Sequence, residues 1–291
     1  MANSICALCR NEAPLRQSHI VPSFFGTYLK ETSATGYLRR ALAPNLRKQD
    51  LLKEELLCDS CEGRFSTWEK IFKEEAFEIV QNDSFRELEY GPWLLPFIVS
   101  LSWRVLVTQR QGFIEAHPQF STTVERTLEN WRLFLLGGRA QPRSEHHLFV
   151  FAGFPESMPA GLHEKILHYV LRSVDATVVS SGRRFFVFTK PLRSFVISPI
   201  LPGSPSGLTN TRVHAGGGRL ISPQRIAMKG FGEFLDSRAK ECFAQPLSDM
   251  QMGRIDEAIL RDPQRALSSE SYQVHKATQH FVPEPGEKES W

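Results

Sequence analysis

Four of the five cysteines in this 291-residue chain form two pairs with the same spacing, Cys6-Ala-Leu-Cys9 and Cys58-Asp-Ser-Cys61. A CxxC turn places two thiolates on one side of a tetrahedron, so two such turns supply the four soft ligands of a closed zinc site. A closed site holds a fold together and leaves no open position for chemistry. The alternative is a set of unrelated buried or redox thiols. The long separation of the pairs implies an inserted excursion rather than a bare zinc ribbon. A secreted disulfide framework would be denser in a chain of this length, which points to a reducing, cytoplasmic compartment and a metal. Cys242 is left over in an expected helix and reads as a core residue.

The residues between and just after the pairs can do acid–base and phosphate chemistry. His19 sits in Ser18-His19-Ile20-Val21-Pro22, and an imidazole with an ordinary pKa near ~6.5 is suited to proton transfer around neutrality. Glu62 follows Cys61 directly and offers a hard oxygen ligand to a divalent cation. Arg39, Arg40, Arg47, Lys48 and Lys53 stand against only Asp50 between positions 39 and 53. Such a local excess can dock phosphates without reading sequence, or can be an ordinary solvated face. Asn45, after Pro44, fits a turn.

Taken together, Cys6-x-x-Cys9, Ser18-His19-Ile20-Val21-Pro22 and Leu57-Cys58-x-x-Cys61-Glu62 leading into a helix resemble the HNH, or ββα-metal, endonucleases. The resemblance covers residues 6–75. Zinc-containing members carry a CxxC before a [DE]-His-[IV]-x-Pro element, and a later Leu-Cys-x-x-Cys-[HN] opens the helix. The resemblance implies a metal-dependent endonuclease acting on DNA or RNA. His19 would be the general base toward the attacking water, Asn45 would hold its imidazole, and Glu62 would ligate Mg²⁺ or Mn²⁺ beside a structural Zn²⁺. Relatives of that kind often serve bacterial defence or mobile elements. Two positions depart from the pattern. Ser18 replaces the acidic residue before the histidine, which removes one metal ligand, and Glu62 replaces His or Asn. Asp50 and Glu69 are the nearby carboxylates, but two helical turns put Glu69 about 10 Å from Glu62. The alternative function is a catalytically silent zinc-binding module that recognises nucleic acid or protein. His19 is then an ordinary packed histidine, and Glu62 only favours the helix N-terminus.

The elements that must position these residues follow from composition and periodicity. Hydrophobic residues make up 41% and charged residues 23% of the chain, which excludes disorder as the dominant state. A net charge of +3 excludes wholesale wrapping by nucleic acid, so any basic footprint is local. The most apolar run, Pro92–Thr108, carries Arg104 and is too short to span a bilayer. No charged region followed by an apolar stretch opens the chain, so no signal peptide is expected. Phe65, Trp68, Phe72, Ala76 and Ile79 predict a helix after the second cysteine pair. Leu94, Phe97, Ile98, Leu101 and Val105 predict a second helix; Val124, Leu128, Trp131 and Leu135 predict a third, stopped by Gly137-Gly138. His146–Phe154, Ala176–Val179, Phe185–Lys190 and Ser194–Ile200 read as strands, with a hairpin turn at Ser181–Arg184 and a helix at Leu162–Leu171. Strand alternation sends His146 and His147 to opposite faces, against a shared metal. Pro202–Gly218 reads as a flexible connector, and helices return at Pro223–Phe243 and Met250–Leu260. The fold class is therefore α+β. A zinc-stapled ββα-like module (1–80) precedes a helical and then β-rich region with C-terminal helices (81–268) and a flexible tail (269–291).

Overall fold

The computed structural model describes residues 4–153, 161–181, 184–200 and 207–279. Its architecture is α+β with small antiparallel sheets. From the N-terminus the elements are β1 (Ser4–Ile5), β2 (Glu12–Ala13), β3 (Leu15–His19), α1 (Ser23–Glu31), β4 (Leu38–Arg40), β5 (Ala43–Lys48), β6 (Lys53–Cys58), α2 (Asp59–Glu75), α3 (Phe77–Gln81) and β7 (Glu87–Tyr90). Next come α4 (Leu94–Ala116), α5 (Ser121–Leu135), β8 (His147–Val150), α6 (Ile166–Arg172), β9 (Val174–Ser181), β10 (Arg184–Pro191) and β11 (Ser194–Pro199). Then follow β12 (Leu208–Thr209), β13 (Gly218–Ile221), β14 (Arg225–Ile226), α7 (Phe231–Phe243), α8 (Asp249–Arg261), α9 (Pro263–Ser268) and α10 (Glu270–Gln279). They divide into two compact units, each assembled from three stretches of chain. Unit 1 is Met1–Phe24, Leu51–Ala152 and Val174–Met228; unit 2 is Phe25–Asp50, Gly153–Ser173 and Lys229–Trp291.

Unit 1 is built on α4. This helix lies across β9, β10 and β11 of a four-stranded antiparallel sheet, ordered β8-β11-β10-β9, with α2 and α5 packed against it. The predicted face of Leu94, Phe97, Ile98, Leu101 and Val105 is buried, but so are Leu95, Val99, Trp103 and Leu106. Burial all round over Leu94–Leu106 is the signature of a central layer, whereas from Val107 to Ala116 only Phe113 is buried. Two buried serines of α4 bond back into the helix. Ser100 Oγ donates to Phe97 O and Ser102 Oγ to Ile98 O. Among the described residues no helix is long and apolar enough to cross a membrane. Phe72 of α2 stacks on Phe97 at 4.2 Å between ring centroids, and Phe65 meets Trp103 edge to face. The helix predicted through Ile79 breaks at Ala76, whose φ of −124° leaves the helical region. The break turns the face, so Val80 is buried and Ile79 is exposed. α5 buries Val124, Leu128, Trp131 and Leu135, and Gly137 takes the left-handed φ of +81° that ends the run.

The smaller ladders of unit 1 shape its N-terminal part. β1 pairs with β2, and β3 pairs antiparallel with β6, with α2 starting at the residue after β6. β9 and β10 pair up to Ser181↔Arg184; the turn residues expected between them, Gly182-Arg183, lie outside the described residues, as do 202–206 of the expected connector. The rest of that connector contributes β12 and the start of β13, which pairs with β7.

In unit 2, α6 packs against α7 and α10. Arg172 of α6 donates through Nη1 to Thr32 Oγ1 at 2.6 Å and Glu270 Oε2 at 2.8 Å, and through Nη2 to Leu29 O at 3.1 Å. One guanidinium thus joins α1, α6 and α10. Residues 270–279, expected within a flexible tail, form α10 because Val274 and Thr278 are buried in this unit. The remainder of that expected tail, 280–291, lies outside the described residues. β4 and β5 form a hairpin with a bulge between Arg39 and Arg40.

Candidate metal centre and its surroundings

The β1–β2 hairpin and the β6–α2 junction bring the two cysteine pairs together in unit 1. The first turn is closed by Cys6 N–H to Asn11 O (2.9 Å) and Arg10 N–H to Cys6 O (2.8 Å), with Arg10 in the left-handed region at φ 66°. Ala7 N–H reaches Leu56 O at 3.0 Å, which docks the turn on β6. Cys58 N–H points at Cys6 Sγ at 3.3 Å, the kind of amide donor that stabilises a thiolate. Cys58 stands opposite Leu15 in the β3–β6 ladder, and Cys61 lies one helical turn on in α2.

The sulfur atoms of Cys6, Cys9, Cys58 and Cys61 all lie within 4.8 Å of one another. A tetrahedron with Zn–S bonds of about 2.3 Å has edges of about 3.8 Å. Cys9 Sγ and Cys58 Sγ are 3.7 Å apart, and none of the four is in a disulfide. The donor set and spacing therefore fit a structural Zn²⁺. Three of the four cysteines are buried, as a closed site requires. Burial pushes the thiols of Cys9 and Cys61 up. Burial opposes ionisation at Cys58 too, but hydrogen bonds from Ser60 and from the Cys61 backbone outweigh it and bring that thiol down to about 6. Among the described residues this is the one group of three or more His, Cys, Asp or Glu side chains arranged to hold a metal.

The residues expected to act on phosphate are distributed over both units. Ser18 and His19 end β3, opposite Glu54 and Lys53 of β6. Ser18 is fully buried, and its Oγ donates to Glu62 Oε2 at 2.6 Å, tying the first turn of α2 to the strand. An acidic residue at position 18 would put a second carboxylate against Glu62, so serine and glutamate form a matched pair here. His19 is held through its backbone: Arg104 Nη1 donates to His19 O at 2.7 Å while its Nη2 donates to Glu69 Oε1 at 2.8 Å. Arg104 is 1% exposed and its guanidinium lies over the Phe65 ring at 5.2 Å. Glu69 is thus engaged with Arg104. Asn45 lies in unit 2, where its Oδ1 accepts from Ser248 N–H (2.8 Å) and its Nδ2 reaches Pro246 O (3.5 Å) at the start of α8. Arg39, Arg40, Arg47 and Lys48 are on the β4–β5 hairpin of unit 2, and Lys53 is in unit 1.

Two features escaped the sequence reading. Arg104 was visible only as a lone cation in an apolar run. The second is a buried hydrogen-bond chain through His146: Trp131 Nε1 to Ser144 Oγ (2.7 Å), Ser144 Oγ to His146 Nε2 (3.1 Å), His146 Nδ1 to Ser198 Oγ (2.7 Å), and Ser198 Oγ to Ser102 Oγ (2.7 Å). The indole can only donate, and Ser102 Oγ also reaches Ile98 O at 3.1 Å. His146 is neutral. Burial, with the charge of His147 second, holds its pKa down at about 3. A base this weak, with no carboxylate behind it, does not activate Ser144. His147 turns elsewhere, with Nδ1 on Thr211 Oγ1 at 3.0 Å, so the two histidines do not converge.

No protein-family model, curated protein or solved structure matches this chain. The likeness to HNH endonucleases rests on residues 6–75 alone, and of its expectations the four-cysteine group that could hold zinc is the part the geometry supports.

Proposed function

We propose that the chain is a zinc-stapled, nucleic-acid-binding protein whose β3–α2 corner hydrolyses phosphodiester bonds. The observation that carries this reading is the Ser18–Glu62 hydrogen bond, which fixes a helix carboxylate to the residue beside His19, directly next to the cysteine cluster in sequence and ladder. Ser18 occupies Oε2 and leaves Oε1 of Glu62 for Mg²⁺ or Mn²⁺. When bound, the cation would act as a Lewis acid on the scissile phosphate. His19 would take the proton from the attacking water, and Glu62 would hold the cation in place. The Asn45 amide is committed to the start of α8, and Arg104 stiffens the strand at the His19 carbonyl. Arg39, Arg40, Arg47, Lys48 and Lys53 would together supply the positive field that draws in the phosphate backbone of DNA or RNA.

The test is nicking of supercoiled plasmid, with an RNA substrate in parallel, by zinc-loaded protein with Mg²⁺ or Mn²⁺. Wild type is expected to cut, His19→Ala to lose about 10²-fold or more as befits a general base, and Glu62→Ala to lose both cutting and a second Mn²⁺ site in calorimetry. Cutting by His19→Ala at the wild-type rate would overturn the assignment of the base.

A second reading has its own observation. Strand alternation sends Ser18 and His19 to opposite faces of β3, and the Ser18–Glu62 pair then simply seals a buried corner. In that case the module binds nucleic acid or protein without turnover, and binding survives His19→Ala.

A further inference from the structure

Across the β4–β5 hairpin of unit 2, Arg39 stands directly opposite Arg47. Like charges in directly opposed positions destabilise a two-stranded ladder, so such a pair needs a compensating partner. Arg39 Nη1 has one on each side, Pro44 O at 2.8 Å and Gln251 Oε1 at 3.2 Å. Its Nη2 has none, although the atom is buried, and the Nε of Arg47 is likewise buried and unbonded. Buried donors in native proteins are paired almost without exception, and an orphaned one points to a missing water or ion. Two orphaned donors on two facing cations call for an anion, because a water would satisfy the hydrogen bonds and leave the repulsion. No carboxylate meets either guanidinium among the described residues. The Arg47 guanidinium is also positioned, 4.2 Å from the centroid of the Tyr37 ring. Burial, and then the charge of Arg47, hold Arg39 below its ordinary pKa, the direction expected of a cation pair lacking its counter-charge.

We propose that Arg39 and Arg47 form a clamp for one phosphate group, supplied by the backbone of a nucleic acid. A phosphate offers several acceptor oxygens to two planar guanidiniums, a match that neither lysine nor a single arginine provides. Neighbouring strand residues alternate in facing, which places Lys48 on the other side of the ladder, opposite Leu38; the bulge separates Arg40 from Arg39. The basic cluster therefore divides into a two-residue contact site and side chains that act only through long-range charge. The source of the phosphate rests on the nucleic-acid reading above; the clamp itself does not.

The test uses full-length, zinc-loaded protein without Mg²⁺ or Mn²⁺, so that binding is read apart from any cleavage. Inorganic phosphate and a short single-stranded oligonucleotide are titrated into wild type, Arg47→Gln and Arg40→Gln, with thermal melting alongside. Phosphate is expected to raise the wild-type melting temperature. Arg47→Gln should abolish that rise, weaken oligonucleotide binding about tenfold, and lower the slope of log affinity against log salt by about 1. Its melting temperature without phosphate should equal or exceed wild type, since a repulsion has been removed. Arg40→Gln should keep the phosphate response. No phosphate response in wild type, or an Arg47→Gln protein that melts lower yet binds as well, overturns the clamp. A phosphate response with oligonucleotide binding indifferent to Arg47 overturns the nucleic-acid source and leaves a free-phosphate site. Failure of the nuclease reading shows separately, as no plasmid or RNA cleavage by wild type once Mg²⁺ or Mn²⁺ is added, with these binding results intact.

Discussion

Cys58 carries more of the N-terminal structure than any neighbour, because it joins a strand, a helix and the opposite cysteine turn at one residue. Its backbone amide donates to Cys6 Sγ and its own sulfur lies 3.7 Å from Cys9 Sγ. Structural zinc binds peptides with apparent free energies of about 10–16 kcal/mol, comparable to or above the whole stability of a domain. Cys58→Ser is therefore expected to lose its zinc and unfold at least the β1–β2 and β3–β6 ladders. Metal analysis with hydrogen exchange over residues 4–75 checks this, and unchanged protection would refute the zinc staple. At this scale the cysteines were legible in the sequence, because CxxC is a local geometry that needs only its own turn. Ser18 was legible as a departure and not as a partner. Its meaning depends on Glu62, 44 residues away, and on the burial of the serine. The Ser144–His146–Ser198–Ser102 chain was illegible for the same reason, since nothing near His146 announces that serines on α4 and β11 will face it.

Elements show a different kind of legibility. Periodicity located α2, α4 and α5 and their inner faces, because one apolar stripe suffices to orient a helix. It did not reveal that the first half of α4 is covered on every side, which is decided by how many layers the rest of the chain supplies. Nor did it reveal the break at Ala76, a backbone event without a sequence marker. Arg104 shows what central burial costs and how it is met. Its guanidinium binds Glu69, His19 O and Ser100 O. Removing Glu69 leaves a buried cation, whereas Glu69, at 19% exposure, can rehydrate. Glu69→Leu is therefore expected to destabilise by about 3–5 kcal/mol, and adding Arg104→Met should recover part of that loss. Urea unfolding of the two single variants and the double variant measures the coupling, and strict additivity would show that the pair is not one.

For the molecule as a whole, pH is the condition to which the buried histidines respond. Burial, the main cause, lowers His146 to about 3 and both His147 and His168 to about 4. The charge of His147 adds to the shift at His146. At His147 the nearby Glu145 opposes the shift and Arg212 adds to it. His275, Lys165 and Arg172 add to the shift at His168. Each folded value lies below the unfolded one, so the unfolded chain binds more protons between these pKa values. Stability is then complete above about pH 6.5 and falls as pH drops toward 4, with His146 alone contributing up to about 1.4 kcal/mol per pH unit. His146→Gln should flatten the acid limb by that amount in urea unfolding followed from neutral to mildly acidic pH. Zinc release in acid is common to both proteins and cancels in the difference. An unchanged acid limb would mean that His146 gains a proton without cost.

The interleaving of the two units also sets an order of events on the ribosome. The hairpin bearing Arg39 and Arg47 is synthesised early, yet the last segment of its own unit begins at Lys229, about 180 residues later. At about 5–20 residues per second, that interval lasts roughly 10–40 s. During it the hairpin has neither α8 nor Gln251 to rest on, while the cysteine cluster needs only the first 61 residues to be complete. The four-cysteine group can thus be complete before unit 2 closes, and a nascent chain stalled before Lys229 could hold zinc while still presenting its basic hairpin uncovered.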